Sequence, residues 1–348
     1  MTARLRTALV GARTMVKHNR PLRGALFLGQ NVVHGCLARP AGSGPAAPAA
    51  SGPGVTPRYE LAAMIRVKDE ARFLPEWLAH HVALGVEHVV VYDNASRDGT
   101  REAIEPFVAE GLVTYVHWPA VPVSPGSHLD FLARFGPTCR WAAFLDADEF
   151  VVEAEPGALR AALDAARDRP ALALNERYFG SAGHETIPAG LVTERFDRAS
   201  AEITDHVKVI AQPAAVARYR NPHNFYYRRG RLARTPDGRR VFGSFVTPAA
   251  EPSLVIHHYV YRSREDYERK ARPSHGYATA VGARERARRL ERAEAEFHRH
   301  NDVTVTVPEA ARRATADLLR RLGYPEELYR HGRPVTSRRP ATTRDPGP

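Results

Sequence analysis

Trp141-Ala142-Ala143-Phe144-Leu145-Asp146-Ala147-Asp148-Glu149-Phe150 decides how the chain is read. Five apolar residues end in three acids within four positions, the pattern of a buried parallel strand whose carboxyl end opens into a polar site. Ligands of α/β sheets bind at such edges. In extended chain Asp146 and Asp148 point to the same side, so the pair can offer two carboxylates to one hard cation, Mg or Mn by its oxygen-only chemistry. Taken alone, Asp-x-Asp is far more often an acidic loop after a strand than a metal site. Here Glu149-Phe150-Val151-Val152 returns at once to apolar character, so the acids form an island inside a core.

Upstream, Leu61 to Val67 reads as a first buried strand, closed by Lys68-Asp69-Glu70. Leu74, Trp77, Leu78, His81 and Val82 then recur at helical spacing, with Pro75 early and Gly85 as the stop. Val89 to Tyr92 is a second strand running into Asp93-Asn94-Ala95-Ser96-Arg97-Asp98-Gly99-Thr100. A helix over 101–109 and a third strand over 113–116 follow. This alternation predicts right-handed βαβ units and a mainly parallel sheet. Acids therefore collect at three strand ends, and seven carboxylates cannot stay ionised side by side without a cation or cationic partners. A metal-assisted site that handles phosphate satisfies that demand. Neither a phosphate-binding G-x-x-x-x-G-K loop, nor a G-x-G-x-x-G after the first strand, nor a G-x-S-x-G elbow is present.

The 348 residues, 43% of them apolar, suffice for one large α/β domain or two small ones. The net charge of +11 is mostly local. The first 59 residues hold no acid and eight Arg or Lys, which leaves 42 basic against 39 acidic residues in the body. The basicity thus describes an arm that seeks anionic surfaces, with peripheral membrane contact expected and nucleic acid not expected. Two cysteines, Cys36 and Cys139, exclude a disulfide scaffold and fit a reducing compartment. Residues 24–38 are too short and too polar for a membrane span and make a poor signal peptide, so a cytoplasmic or membrane-peripheral location is expected. The expected organisation is a basic arm over 1–39, a Pro/Ala/Gly linker over 40–57 and a catalytic domain over 58–275. A helical extension over 276–330 and a disordered tail over 331–348 complete it.

The ordered set of motifs resembles nucleotide-sugar glycosyltransferases of the GT-A fold, in the group of families 2 and 92. The motifs are Ile65-Arg66-Val67-Lys68-Asp69-Glu70 with Leu74-Pro75-Glu76-Trp77 and His80-His81, Leu84-Gly85-Val86-Glu87-His88, Tyr92 to Thr100, and Phe144 to Phe150. Phe179-Gly180-Ser181-Ala182-Gly183-His184, Lys208-Val209-Ile210 and His257-His258-Tyr259 with Arg262-Ser263 continue it in order, over about residues 60–275. The resemblance implies a mixed, mainly parallel sheet flanked by helices, a UDP-sugar or related donor, a carbohydrate acceptor, and Mn or Mg. It implies that Glu70 and Asp93, with Asn94, Ser96 and Asp98, hold the nucleotide. It places Asp146, Asp148 and His258 at the metal, Asp148 in direct contact, with Lys208 or Arg262 neutralising diphosphate. Two positions depart from the pattern: Asp69 and His257 stand where Asn is common. Transfer with inversion needs a base on the acceptor hydroxyl, and His184, Glu185 and Asp205 are the candidates.

Without that resemblance, His184 reads as a surface loop residue, His258 as a satisfied core histidine, Glu70 as a helix-start charge, and Asp93 to Ser96 as a turn and N-cap. Trp141 and Phe144 read as core. The aromatic and basic run Tyr219 to Arg229 reads as a sugar platform or a solvated loop. A charged helix over 264–272, another over 283–298, and a third over 308–322 with Leu318 and Leu319 on its apolar side close the chain. The competing functions are a nucleotidyltransferase, which also uses Asp-x-Asp, and a non-catalytic adaptor carried by the basic arm.

Overall fold

The computed structural model describes residues 46–47, 56–121, 123–260, 262–271 and 297–329. The basic arm, most of the linker, the charged helix expected before residue 297 and the tail lie outside them. One piece of the linker lies inside: Ala46 bridges to Arg218, and the Ala47 amide donates to the Ala217 carbonyl.

The expected strands form. β1 (Tyr59–Val67), β2 (His88–Asp93), β3 (Val113–His117) and β4 (Cys139–Asp146) lie parallel in the order β3-β2-β1-β4. Period-two alternation along β1 divides the core. Leu61, Ala63, Ile65 and Val67 face one apolar layer with Trp77 and Leu78, while Ala62 and Met64 face another with Phe131 and Phe144. Helix α1 (Leu74–Ala83) covers the first layer. The expected helix over 101–109 is two short pieces, α2 (Thr100–Ala103) and α3 (Glu105–Ala109). The break falls at Ile104, beside Pro106, which cannot donate the helix-continuing hydrogen bond. α4 (Gly126–Arg134) packs Phe131 and Leu132 into the second layer.

Past β4 the sheet becomes mixed. β5 (Glu149–Glu153) follows after two residues, and α5 (Ala158–Ala165) leads to β6 (Ala171–Phe179). After α6 (Val192–Arg195) and β7 (Arg198–Ala199), β8 (Val207–Ala211) inserts antiparallel between β4 and β6. The run 219–229 is neither platform nor solvated loop. It contributes a hairpin, β9 (Val216–Asn221) and β10 (Asn224–Tyr227), whose Tyr219, Phe225 and Tyr227 are buried in the second layer. β11 (Leu254–Tyr259) lies between β5 and β6, opposite Glu149 at His258. α7 (Arg264–Ala271) and α8 (Glu309–Arg321), with the two-residue β12 (Val303–Thr304) before α8, end the described chain. α8 packs on α1 through its buried Leu318 and Leu319. The result is a mixed α/β domain with a mainly parallel sheet between helices, as the sequence predicts. Trp141 and Phe144 are core.

Candidate active site

Register brings the acids together. Arg66, near the end of β1, pairs with Asp146 of β4 on one side and Tyr92 of β2 on the other, so the carboxyl ends of three strands share one edge. Asp146 is the most constrained acid there. Arg66 Nη2 donates to its Oδ1 at 2.7 Å, and Lys208 Nζ from β8 donates to its Oδ2 at 2.6 Å. Lys208 is fully buried and also reaches Glu149 Oε1 at 3.1 Å. The Asp146 amide donates to Glu149 Oε2, closing the Asp-Ala-Asp-Glu turn on itself. Burial alone would raise the Asp146 pKa, but Lys208 and then Arg66 outweigh it and hold the carboxyl well below its ordinary range. Burial would strip the proton from Lys208, and Asp146, Glu149 and Glu176 reverse that shift.

Asp148 and His258 face each other across the same edge, with Oδ1 and Nε2 3.5 Å apart. The other ring nitrogen of His258, Nδ1, lies 3.1 Å from Glu176 Oε2 on β6. A carboxylate on Nδ1 fixes the ring and the tautomer that leaves Nε2 toward Asp148. Burial works against charge on His258. The hydrogen bond and charge of Asp148, then Glu176 and Glu149, outweigh it and raise its pKa well above the ordinary value. His257, its neighbour, points the other way, buried between Phe179 and Tyr259, and burial pushes its pKa down to about 3. Strand alternation thus separates the two histidines into one core residue and one site residue.

The loops after β1 and β2 are laced together. Asp93 accepts from the Ser96 amide and hydroxyl on Oδ1 and from Tyr115 on Oδ2. Ser96 Oγ accepts from the Asp69 amide, and Asp69 Oδ1 from the Arg97 amide. Asp98 accepts from Ala71 and Thr100, and Asn94 Nδ2 donates to the Trp118 and Ala120 carbonyls. Glu70 is nearly buried beneath Arg262, which donates to it at 3.0 Å, pairs with Asp266 and stacks on Phe73. Arg262 and Lys208 are therefore enclosed and paired with acids of the chain itself.

The three base candidates are spread out. His184 Nε2 sits 3.2 Å from the Arg195 carbonyl with its ring edge against Phe196. Glu185 is exposed and paired with Arg264 at 2.7 Å. Asp205 lines an open groove with Arg177, Glu202, Thr204 and Thr247. Sequence reasoning passed over Arg66 and Glu149 as motif members without roles, and missed Glu176, His206 and His223. Glu176 carried a signal, a charge inside the strand-like run Ala171-Leu172-Ala173-Leu174-Asn175-Glu176. The two histidines, on connections with no period, carried none.

Residues 63–273, more than half of the chain, match the model of glycosyltransferase family 92. The chain belongs to glycosyltransferase family 92. A family 92 protein of Ricinus communis is 26% identical over 218 residues, which cover 61% of this chain and 37% of the relative. One from Arabidopsis thaliana is 35% identical over 94 residues, 27% of this chain and 16% of the relative. The family 92 chain thus spans well under half the length of these relatives. Among solved structures, S. aureus TarS is 14% identical with a TM-score of 0.33, covering 76% of this chain and 48% of that one. Neither competing function, the nucleotidyltransferase or the adaptor, is favoured by these matches. No helix among the described residues is long and apolar enough to cross a membrane.

Proposed function

We propose that this family 92 chain moves a sugar from a nucleoside-diphosphate donor, UDP-linked in the first instance, to a carbohydrate hydroxyl with inversion at the anomeric carbon. The observation that carries the reading is Asp148 facing His258 at 3.5 Å, with His258 locked from behind by Glu176. Two ligands at right angles on a cation with bonds of ~2.1 Å stand ~3 Å apart, so the pair fits a shared Mn or Mg with little movement. Both oxygens of Asp146 are already taken by Arg66 and Lys208, which leaves Asp148 as the direct ligand of the Asp-x-Asp. The ion, when bound, supplies Lewis-acid stabilisation of the diphosphate leaving group.

The chain's own residues do the rest. Arg66 and Lys208 neutralise Asp146 and hold the acidic turn in the geometry that presents Asp148. Glu70 and Asp93 frame the base and ribose, on loops that Asn94, Ser96 and Asp98 keep rigid by the hydrogen bonds described above. The acceptor oxygen attacks the anomeric carbon as the bond to diphosphate breaks, and its proton passes to a base. We assign that base to Asp205 because it lines an open groove, whereas Glu185 is turned to Arg264.

Calorimetric titration of UDP with and without Mn, on wild type and Asp148→Ala, tests the reading. Metal-dependent binding that the substitution removes supports it. If UDP does not bind, GDP is titrated in the same way. Absence of metal-dependent binding for both nucleotides refutes it.

A further inference from the structure

We propose that Glu176, His206 and His223 form a second metal site, one that takes a borderline divalent transition ion of the zinc class. Glu176 on β6 has no exposed surface, and its two oxygens have different surroundings. Oε2 meets His258 Nδ1, the contact that orients the candidate donor-site histidine. Oε1 has no hydrogen-bond partner. It faces His206 Nδ1 at 3.4 Å and His223 Nδ1 at 3.7 Å, and neither nitrogen has a hydrogen-bond partner either. The three atoms lie within 4.8 Å of one another.

Three buried polar atoms aimed at one point without a hydrogen bond call for a group between them, because a buried polar atom left unpaired is costly. A proton would draw one imidazole to roughly 2.8 Å and abandon the other. Both are instead held back at similar distances. A tetrahedral ion with bonds of ~2.1 Å spreads its ligands ~3.4 Å apart, close to the 3.4 and 3.7 Å from Glu176 Oε1 to the two nitrogens. Two imidazoles and one carboxylate are the ligand set of open zinc sites, which keep a fourth position for water or substrate. Each imidazole is about a quarter exposed, so that position has access to solvent.

The ligands come from three rigid elements. His206 stands just before β8, and its carbonyl accepts from the Glu176 amide. His223 is at the tip of the β9–β10 hairpin, where Asn221 Oδ1 accepts from the His223 and Asn224 amides. The rings meet at 4.1 Å between centroids. The set shares Glu176 with the orientation of His258 but does not include Asp148, so replacing Asp148 separates this site from the donor chemistry proposed above.

The test is titration of the chelator-stripped full chain with Co2+, followed by visible absorption, in an Asp148→Asn background that disables the candidate donor site. The proposal expects one Co2+ per chain with tetrahedral-type bands, displaced by Zn2+. His206→Gln and His223→Gln, made separately, should each weaken it by more than about 100-fold while near-ultraviolet circular dichroism stays native. The two lie on separate elements, so one variant still tests the proposal if the other misfolds. No Co2+ binding in the Asp148→Asn background, or binding that survives the substitution of either histidine, overturns it.

Discussion

Asp146 and Asp148 look interchangeable in sequence, and their surroundings predict unequal consequences for their loss. Asp146→Asn keeps the shape but removes the charge that Lys208 meets at 2.6 Å and Arg66 at 2.7 Å, leaving Lys208 with Glu149 at 3.1 Å and the more distant charge of Glu176. Breaking one side of a buried ion pair costs about 3–5 kcal/mol. The Asp146 side chain is 32% exposed, so screening reduces this to about 2–3 kcal/mol. At about 2–4 °C per kcal/mol for a domain of this size, the melting midpoint should fall by roughly 4–12 °C. Asp148 faces a histidine at 3.5 Å, and that histidine keeps Glu176 at 3.1 Å when Asp148 is replaced, so Asp148→Asn should cost less, about 1–2 kcal/mol. The sign with pH follows from the Asp146 carboxyl being held below its ordinary 3.8. Its contribution is fully present above 3.8 and is lost only as pH falls toward the much lower value of the folded state, so the gap between wild type and Asp146→Asn should change little down to pH 3.5. Circular-dichroism melts in chelator at pH 7 and pH 3.5 measure all three quantities. An Asp146→Asn variant that melts with wild type at pH 7, or an Asp148→Asn variant that loses as much, refutes the division of labour.

Two further outcomes are expected. Burial lowers the His80 pKa from 6.5 to about 4, against the hydrogen bond its Nε2 makes to the Val151 carbonyl. The unfolded chain then takes up a proton that the folded one refuses. Stability present above pH 6.5 should drop by up to ~3 kcal/mol toward pH 4, and His80→Gln should flatten that slope in urea titrations. An unchanged slope removes His80 from the account. At Gly180, a Cβ would meet the Arg299 carbonyl and the Asn301 side chain at 2.6 Å, the latter holding the Ala182 amide. Gly180→Ala should therefore destabilise by about 1–3 kcal/mol, read from the urea midpoint. A midpoint equal to wild type would show that the 297–301 segment does not pack there.

The parts legible in the sequence were those written in a local period. β1, β2 and β4 announced themselves as apolar runs stopped by acids, and α1 by Leu74, Trp77, Leu78 and His81 on one stripe. The demand for cationic partners among crowded carboxylates was also legible. Their identity was not, because Arg66 hides in a strand and Lys208 comes from a strand 62 residues beyond Asp146. The same holds for Glu176, whose partners at positions 206, 223 and 258 meet it only through the insertion of β8 and β11 beside β6. The Tyr219 to Arg229 run was misread because its alternation is interrupted by Pro222 and register shifts, which hid a hairpin that buries three aromatics.

Donor turnover tests the central claim most directly. Wild type and Asp148→Ala are incubated with Mn, a panel of UDP- and GDP-sugars and a pool of mono- and oligosaccharide acceptors, and release of the nucleoside diphosphate is followed by mass spectrometry. The account predicts that wild type consumes at least one donor and that Asp148→Ala, still folded, is slower by about 100-fold or more. Equal release by the two proteins, or consumption of no donor by wild type, would contradict it.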